Sequence, residues 1–484
     1  MSDKEVAIKG GFWTSCSTIA TMLSQILRIV ILTRFLSKAE FGIVSISSMV
    51  IGLCLAFADL GFSSIVMYKH DLKDEEFSSL YWIQMILYIF IAAIMAIASP
   101  LVANIYEEPQ LANVVSVSAL TLVCLSIGQL YESVLQKNYQ FKSIAIRNII
   151  TSILSLFLAW YLAWAGFGVY SMILSTMFQA LFYNIWNLIN GTKIRKISFC
   201  LKFKAVFPLI KMGLYQTYTR IADYFSSQLD VMIIGKLLGL EVLGGYDLAK
   251  QLMSRLSKFV RTVISQVALP IISNSNQNPA AVKARFLTMI KIVAYMSIPV
   301  SVTTAVFSKD IVRILYGASY IDIAPLVAIF SIYTVFTSLG SFFDMLGIAK
   351  GRMDLNFKST VYRILITTPI VFLTSLISIK AVAWGQIAAN ILMTIAVWMV
   401  IVRKTYPMTF KEYLNQFLRL SIVLGILGIA LYFPYNVGGL WDNMNMVVSI
   451  VIKATIFIMA MLLVCRLFLK DEIVSLYKLV RKKS

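Results

Sequence analysis

Long apolar runs follow one another along this chain with only short polar breaks, and that pattern restricts the fold more than any other feature. Fourteen segments can be marked off by charge, Gly or Pro, at 12–36, 42–66, 80–104, 111–132, 144–165, 168–190, 208–235, 244–272, 286–307, 322–348, 359–379, 381–402, 416–434 and 446–468. A bilayer-spanning helix needs roughly 20 apolar residues, whereas a spanning strand needs about 9–11 in strict alternation. These runs are too long and too uniform for strands. The expectation is an all-α membrane protein with about 14 transmembrane helices. Charged residues make up only 14% of the chain, against about 25% in soluble domains. A water-soluble surface, a disordered chain and a disulfide scaffold are thereby excluded. The first run carries arginines and lacks a small-residue cleavage site, so it is expected to be a first span and not a cleaved signal peptide.

The net charge of +20 does not point to nucleic acid. Basic residues recur in short clusters between apolar runs, as orienting charges on cytoplasmic loops do. Placing the N-terminus, the even-numbered inter-helix loops and the C-terminus on one side gives that side 29 of the 43 basic residues. About 6 fall on the other side and about 8 inside helices. The stretch from Lys193 to Lys211 holds six, and the tail adds Lys478, Arg481, Lys482 and Lys483. The loops around Glu107 and Asp442 hold none. The positive-inside rule then places both termini in the cytoplasm. Trp13, Trp82, Trp160, Trp164 and Trp441 fall near predicted helix ends, as interfacial side chains do.

Catalytic chemistry is poorly provided for. The five cysteines are scattered without CxxC spacing, and His70 is the one histidine. No metal centre, no cofactor and no Ser-His-Asp or Cys-His catalysis is expected. Neither a GxxxxGKS/T phosphate loop nor HExxH occurs, so the chain is read as non-enzymatic.

Two stretches recur between the halves. Arg34-Phe35-Leu36 with Gly42 parallels Lys236-Leu237-Leu238 with Gly244, at an offset of 202. Phe141-Lys142-Ser143 with Arg147 matches Phe357-Lys358-Ser359 with Arg363, at an offset of 216. Both pair helix n with helix n+6, in order. Six is an even number, so the copies enter from the same side and form a parallel repeat. The expected organisation is an N-lobe at 1–190, a cytoplasmic basic loop at 191–207, a C-lobe at 208–402, and two further helices with a basic cytoplasmic tail at 403–484.

Charges inside the spans are the sharpest functional signal. Each costs about 2.5–3.5 kcal/mol at a helix centre. The eighth segment holds Lys250, Arg255, Lys258 and Arg261. At about 100° per residue, and with Lys250 at zero, the others fall near 140°, 80° and 20°, all on one side of the helix. Against lipid they would cost on the order of 10 kcal/mol, so they are expected to line a wet cavity. The seventh segment carries Gln216, Arg220, Asp223 and Asp230 within an arc of about 80°. Arg28 lies well inside the first segment and Asp59 in the second. Arg28, Arg220, Lys250, Arg255, Lys258 and Arg261 are the candidates for binding an anionic substrate. Asp59, Asp223 and Asp230 are the candidates for ion coupling. The competing reading is that these charges pair with one another, Arg220 with Asp223 one turn away, and only hold helices together. Lys291 and Lys453, closer to helix ends, are read as snorkelling anchors. A cationic cavity implies an anionic ligand, and arginine forks suit phosphate oxygens.

Leu32-Thr33-Arg34-Phe35-Leu36 through Phe41-Gly42 resembles the first-loop signature of bacterial polysaccharide flippases. So does Phe57-Ala58-Asp59-Leu60-Gly61-Phe62 followed by Leu80-Tyr81-Trp82. Gly235-Lys236-Leu237-Leu238-Gly239, with Gly244-Gly245-Tyr246 after it, is similar to the family's mid-chain signature. Over about residues 5–470 the chain resembles the colanic-acid exporter type of polysaccharide transporter. That type belongs to the multidrug/oligosaccharidyl-lipid/polysaccharide exporter superfamily. The resemblance implies a flippase that moves an undecaprenyl-pyrophosphate-linked oligosaccharide repeat unit from the inner to the outer leaflet of the bacterial cytoplasmic (inner) membrane. It would serve O-antigen, capsule or exopolysaccharide biosynthesis by alternating access coupled to an H⁺ or Na⁺ gradient. The implied partners are the lipid-linked oligosaccharide, membrane lipid, and polysaccharide polymerase and glycosyltransferases. One alternative is a multidrug/cation antiporter of the same superfamily, which favours an acidic lumen. Another is a membrane glycosyltransferase or ligase, which needs extended loops or a carboxylate site.

Overall fold

The computed structural model describes residues 3–69, 71–273, 279–349, 353–399, 409–436, 441 and 444–469. His70, Asp442 and the basic tail lie outside the described residues, as do the side chains of Gln216 and Arg261. The regular structure among the described residues is helical. It runs α1 (Asp3–Leu32), α2 (Lys38–Ala58), α3 (Phe62–Tyr68), α4 (Asp74–Tyr106), α5 (Gln110–Ser126), α6 (Gln129–Lys137), α7 (Phe141–Trp164) and α8 (Val169–Thr192). Then come α9 (Phe203–Leu237), α10 (Leu240–Ser273), α11 (Pro279–Val306), α12 (Ser308–Leu315), α13 (Ala324–Ala349), α14 (Met353–Ser375) and α15 (Ile379–Val397). The last are α16 (Phe410–Asn415), α17 (Leu418–Asn436) and α18 (Met446–Phe468).

Each predicted apolar segment is mostly helical among the described residues. Among the described residues, 11 helices are long and apolar enough to cross a membrane. The remaining predicted segments, 208–235, 244–272 and 359–379, fold as α9, α10 and α14, which are as long but more polar. Two expected spans are interrupted. Segment 42–66 breaks between α2 and α3, where Gly61 takes φ 76°, a left-handed conformation that only glycine adopts without steric cost. Segment 111–132 breaks between α5 and α6. Helix starts follow local chemistry. Ser37 caps α2, accepting from the Glu40 N–H while its own N–H donates to the Glu40 carboxylate at 2.7 Å. Thr409 and Glu412 form the same reciprocal cap on α16.

The chain forms two compact units, residues 1–247 and 248–484. In the first, α4 packs with α5, α5 with α8, α7 with α8, and α1 with α7. Helix α9, which the sequence assigns to the second lobe, packs with α2 and α4 in this unit. Tyr224 on α9 donates a 2.6 Å hydrogen bond to the carbonyl of Met49 on α2. In the second unit, α11 packs with α13, α13 with α15, and α14 with α15. Those pairings repeat three of the first unit six spans later, as a parallel repeat requires. The second core gathers Phe286, Ile290 and Val293 of α11 with Leu339, Tyr413, Phe417 and Leu420. The final helices α17 and α18 pack as a pair, α17 lying against α11.

Two buried ion networks brace these units. In the first, Arg147 of α7 is 0% exposed. Its guanidinium bonds Glu132 of α6, Asn187 of α8 and neighbouring Asn148, and lies 3.5 Å from the centre of the Tyr183 ring. In the second, Lys453 of α18 is 2% exposed. It donates to both carboxylate oxygens of Asp310 on α12, at 3.1 and 3.0 Å. Lys453 is therefore a buried ion-pair partner and not the snorkelling anchor its place near a helix end suggests. The rings of Tyr435 and Trp441 lie 5.7 and 5.6 Å from its ammonium.

Candidate functional site

The cationic helix behaves as its spacing demands. Along α10, Leu248, Ala249, Leu252 and Met253 are buried at 7% exposure or less. Lys250, Gln251 and Arg255 are half-buried, and Ser254 and Lys258 are exposed. The charged and apolar residues occupy opposite sides, so the cations are on the side left open in the second unit. Arg255 Nη2 donates to Gln251 Oε1 at 3.1 Å, one turn back. That contact steadies the guanidinium.

The remaining candidates lie in the first unit. Arg28 of α1 is half-buried and its Nη1 lies 3.4 Å from Thr176 Oγ1 on α8. Arg220 of α9 forms an ion pair with Asp59 at the C-terminal end of α2. Sequence spacing offered Asp223 as its partner. The break at Gly61 lets α2 end at Asp59 and brings that carboxylate to α9 instead. Asp223 is exposed. Asp230 is 3% exposed and accepts a 2.6 Å hydrogen bond from Tyr246 Oη and one from the N–H of Val231 at 3.0 Å. The structure thus joins Asp59 with Arg220, and places Asp230 in a separate buried setting.

The outer repeat signature produces a contact that hydropathy alone did not reveal. A Cβ on Gly42 would lie 1.9 Å from the carbonyl oxygen of Leu240, and one on Gly244 would lie 1.9 Å from that of Lys38. Residues 38 and 240, like 42 and 244, are related by the offset of 202, so the crossing is reciprocal. Ser45 and Asp247, also 202 apart, are hydrogen-bonded to each other. Small residues at a crossing allow two helix backbones to meet within a membrane. Nearby, the hydrogen bond and charge of Lys236 hold the Glu107 carboxyl below the usual carboxylate range. Gly42→Ala and Gly244→Ala should each destabilise the protein by about 1–3 kcal/mol, because backbone must move to admit the methyl group. Thermal unfolding in detergent checks this. Gly11→Ala, with no heavy atom within 4 Å of the new methyl, is the control and should not lower the midpoint.

Three comparisons bear on this arrangement. Residues 31–325 match the profile of a family described as polysaccharide biosynthesis protein. The chain is similar to the lipopolysaccharide biosynthesis protein WzxC of Escherichia coli (strain K12), 22% identical over 422 residues, covering 86% of this chain and 84% of that one. Among solved structures it is similar to the lipid II flippase MurJ in an inward closed conformation. The TM-score is 0.74 at 17% identity, over 96% of this chain and 100% of that one. It is also similar to an inward-facing multidrug resistance MATE family transporter of the MOP superfamily. There the TM-score is 0.59 at 14% identity, over 80% of this chain and 96% of that one.

Proposed function

Since the chain belongs to the polysaccharide biosynthesis protein family, we propose that it is a flippase for an undecaprenyl-pyrophosphate-linked oligosaccharide repeat unit. It works in the bacterial inner membrane with both termini cytoplasmic, and supplies polysaccharide biosynthesis. The observation that carries this reading is the open cationic side of α10, where Lys250, Arg255 and Lys258 are set against a buried apolar side. Such charge is tolerable inside a membrane only beside water or an anion. A diphosphate supplies the anion, the sugar crosses in the water, and the polyprenyl chain stays in lipid. The names of the similar proteins, a lipopolysaccharide biosynthesis protein and a lipid II flippase, support the same substrate class. A drug/cation antiporter would place acids where these cations stand.

Arg28 and Arg220 are the anion-binding candidates of the first unit. Alternating access is driven by an H⁺ or Na⁺ gradient, with Asp59, Asp223 and Asp230 as coupling candidates. Polymerase and glycosyltransferases act on either side of the step.

Translocation of a lipid-linked oligosaccharide in proteoliposomes tests the proposal. Arg255→Lys should retain part of the activity and Arg255→Glu almost none. Loss of one charge-assisted hydrogen bond should weaken binding by roughly 10- to 150-fold. If Glu substitutions at Arg28, Arg255 and Arg261 each reach the membrane and transport normally, the anion-binding reading is wrong.

A further inference from the structure

Between α8 and α9, residues 193–202 run without helical structure along the start of α4. One side of this segment is fastened down. Arg195 donates to Asp74 Oδ1 at 2.9 Å and to the carbonyl of Leu72, and its guanidinium lies 4.7 Å from the centre of the Phe77 ring. Tyr131 Oη donates to the Arg195 carbonyl at 2.9 Å. The Ser198 N–H donates to Ser78 Oγ at 3.1 Å, Trp82 Nε1 donates to the Ser198 carbonyl at 3.1 Å, and Ser79 Oγ donates to the Cys200 carbonyl at 3.0 Å. Lys202 pairs with Glu75 at 2.6 Å. Ile197 packs on the core cluster of Phe62, Phe77 and Tyr131. These bonds hold the segment in place, so its opposite side is presented in a definite arrangement.

That opposite side is chemically unusual for a surface in water. Phe199 is 84% exposed, more than any other large apolar side chain described, with Ile194 and Leu201 each at 40%. The Trp82 ring stands edge-on to Phe199, their centroids 5.2 Å apart. Lys193 and Lys196 are exposed among these apolar groups. Exposed apolar and basic residues within one short segment, next to the end of a spanning helix, match the boundary between acyl chains and headgroups.

We propose that residues 193–202 form a membrane-surface strap, in which Phe199 and Trp82 enter the acyl boundary while Lys193 and Lys196 bind the phosphates of anionic phospholipids. The charge complementarity is direct, because the acids at the start of α4 are matched by other cations, Asp74 by Arg195, Glu75 by Lys202 and Glu76 by Lys69. The strap fixes the depth of α4 and α8 in the bilayer, and is independent of what the protein transports.

The test uses the full chain in lipid nanodiscs of phosphatidylcholine and phosphatidylglycerol. A bimane fluorophore at Phe199→Cys, with the native cysteines replaced, should be quenched by lipids brominated high in the acyl chain and shielded from aqueous iodide. Enrichment of phosphatidylglycerol around the protein should fall by up to about 30-fold in the Lys193→Gln/Lys196→Gln variant. Quenching by iodide without quenching by lipid would overturn the proposal and leave a soluble protein partner as the occupant of this face. Unchanged enrichment in the double variant would overturn the headgroup contact. Neither readout depends on transport, so a failure here is distinct from a failure of the flippase reading.

Discussion

Lys453→Met should cost about 3–5 kcal/mol of stability, the range for removing one member of a buried ion pair. The side chains of Lys453 and Asp310 are 3% and 13% exposed. Truncating the lysine strands a carboxylate beneath Tyr435, Phe457 and Val306, which form a small apolar cluster. The penalty arises mostly from that stranded charge and less from the lost attraction. Lys453→Met combined with Asp310→Leu should therefore recover most of the loss. The fraction remaining monodisperse after heating in detergent measures both. A single variant as stable as the native chain would show that the pair is solvated. The pair ties α18 to α12, so the lesion should also loosen the docking of the last two helices.

Replacing Arg147 should be at least as damaging. Its guanidinium serves α6 and α8 at once through Glu132 and Asn187, and Asn187 Nδ2 in turn donates to Glu132 at 3.2 Å. Arg147→Leu leaves a carboxylate and an amide without their shared donor, and a loss of about 3–5 kcal/mol is expected. Arg147→Lys should rescue little, because an ammonium cannot supply the planar fork that reaches these partners together. Membrane abundance should fall in both variants, while the molecules that do fold transport at the native rate. A normal amount of inactive Arg147→Leu protein would place this residue in the transport mechanism instead.

Much of this fold follows from local features of the chain. Run length and apolarity located the 11 helices long and apolar enough to span, among the described residues, since crossing a hydrocarbon layer depends on consecutive residues alone. Helix α2 starts at Lys38, four residues before the apolar run at 42, because the cap that Ser37 and Glu40 form is polar and hydropathy does not register it. Helical spacing put Lys250, Arg255 and Lys258 on one side of α10, and the burial pattern agrees. Phe141-Lys142-Ser143 with Arg147 recurs as a repeat in the sequence, but nothing within that stretch discloses that Arg147 is wholly buried.

What spacing could not supply is the identity of partners distant in sequence. Arg220 has Asp223 one turn away and bonds Asp59, 161 residues distant. Lys453 meets Asp310 across 143 residues. Each pairing depends on where two helices cross. That crossing depends on backbone clearance of the kind Gly42 and Gly244 provide, where a single methyl group would collide with a carbonyl oxygen. Hydropathy averages over many residues and does not register such a contact. Composition and periodicity therefore determine that charges enter the membrane and which side of a helix they share. The packing of helices against one another determines which charges meet a partner there and which residue that partner is.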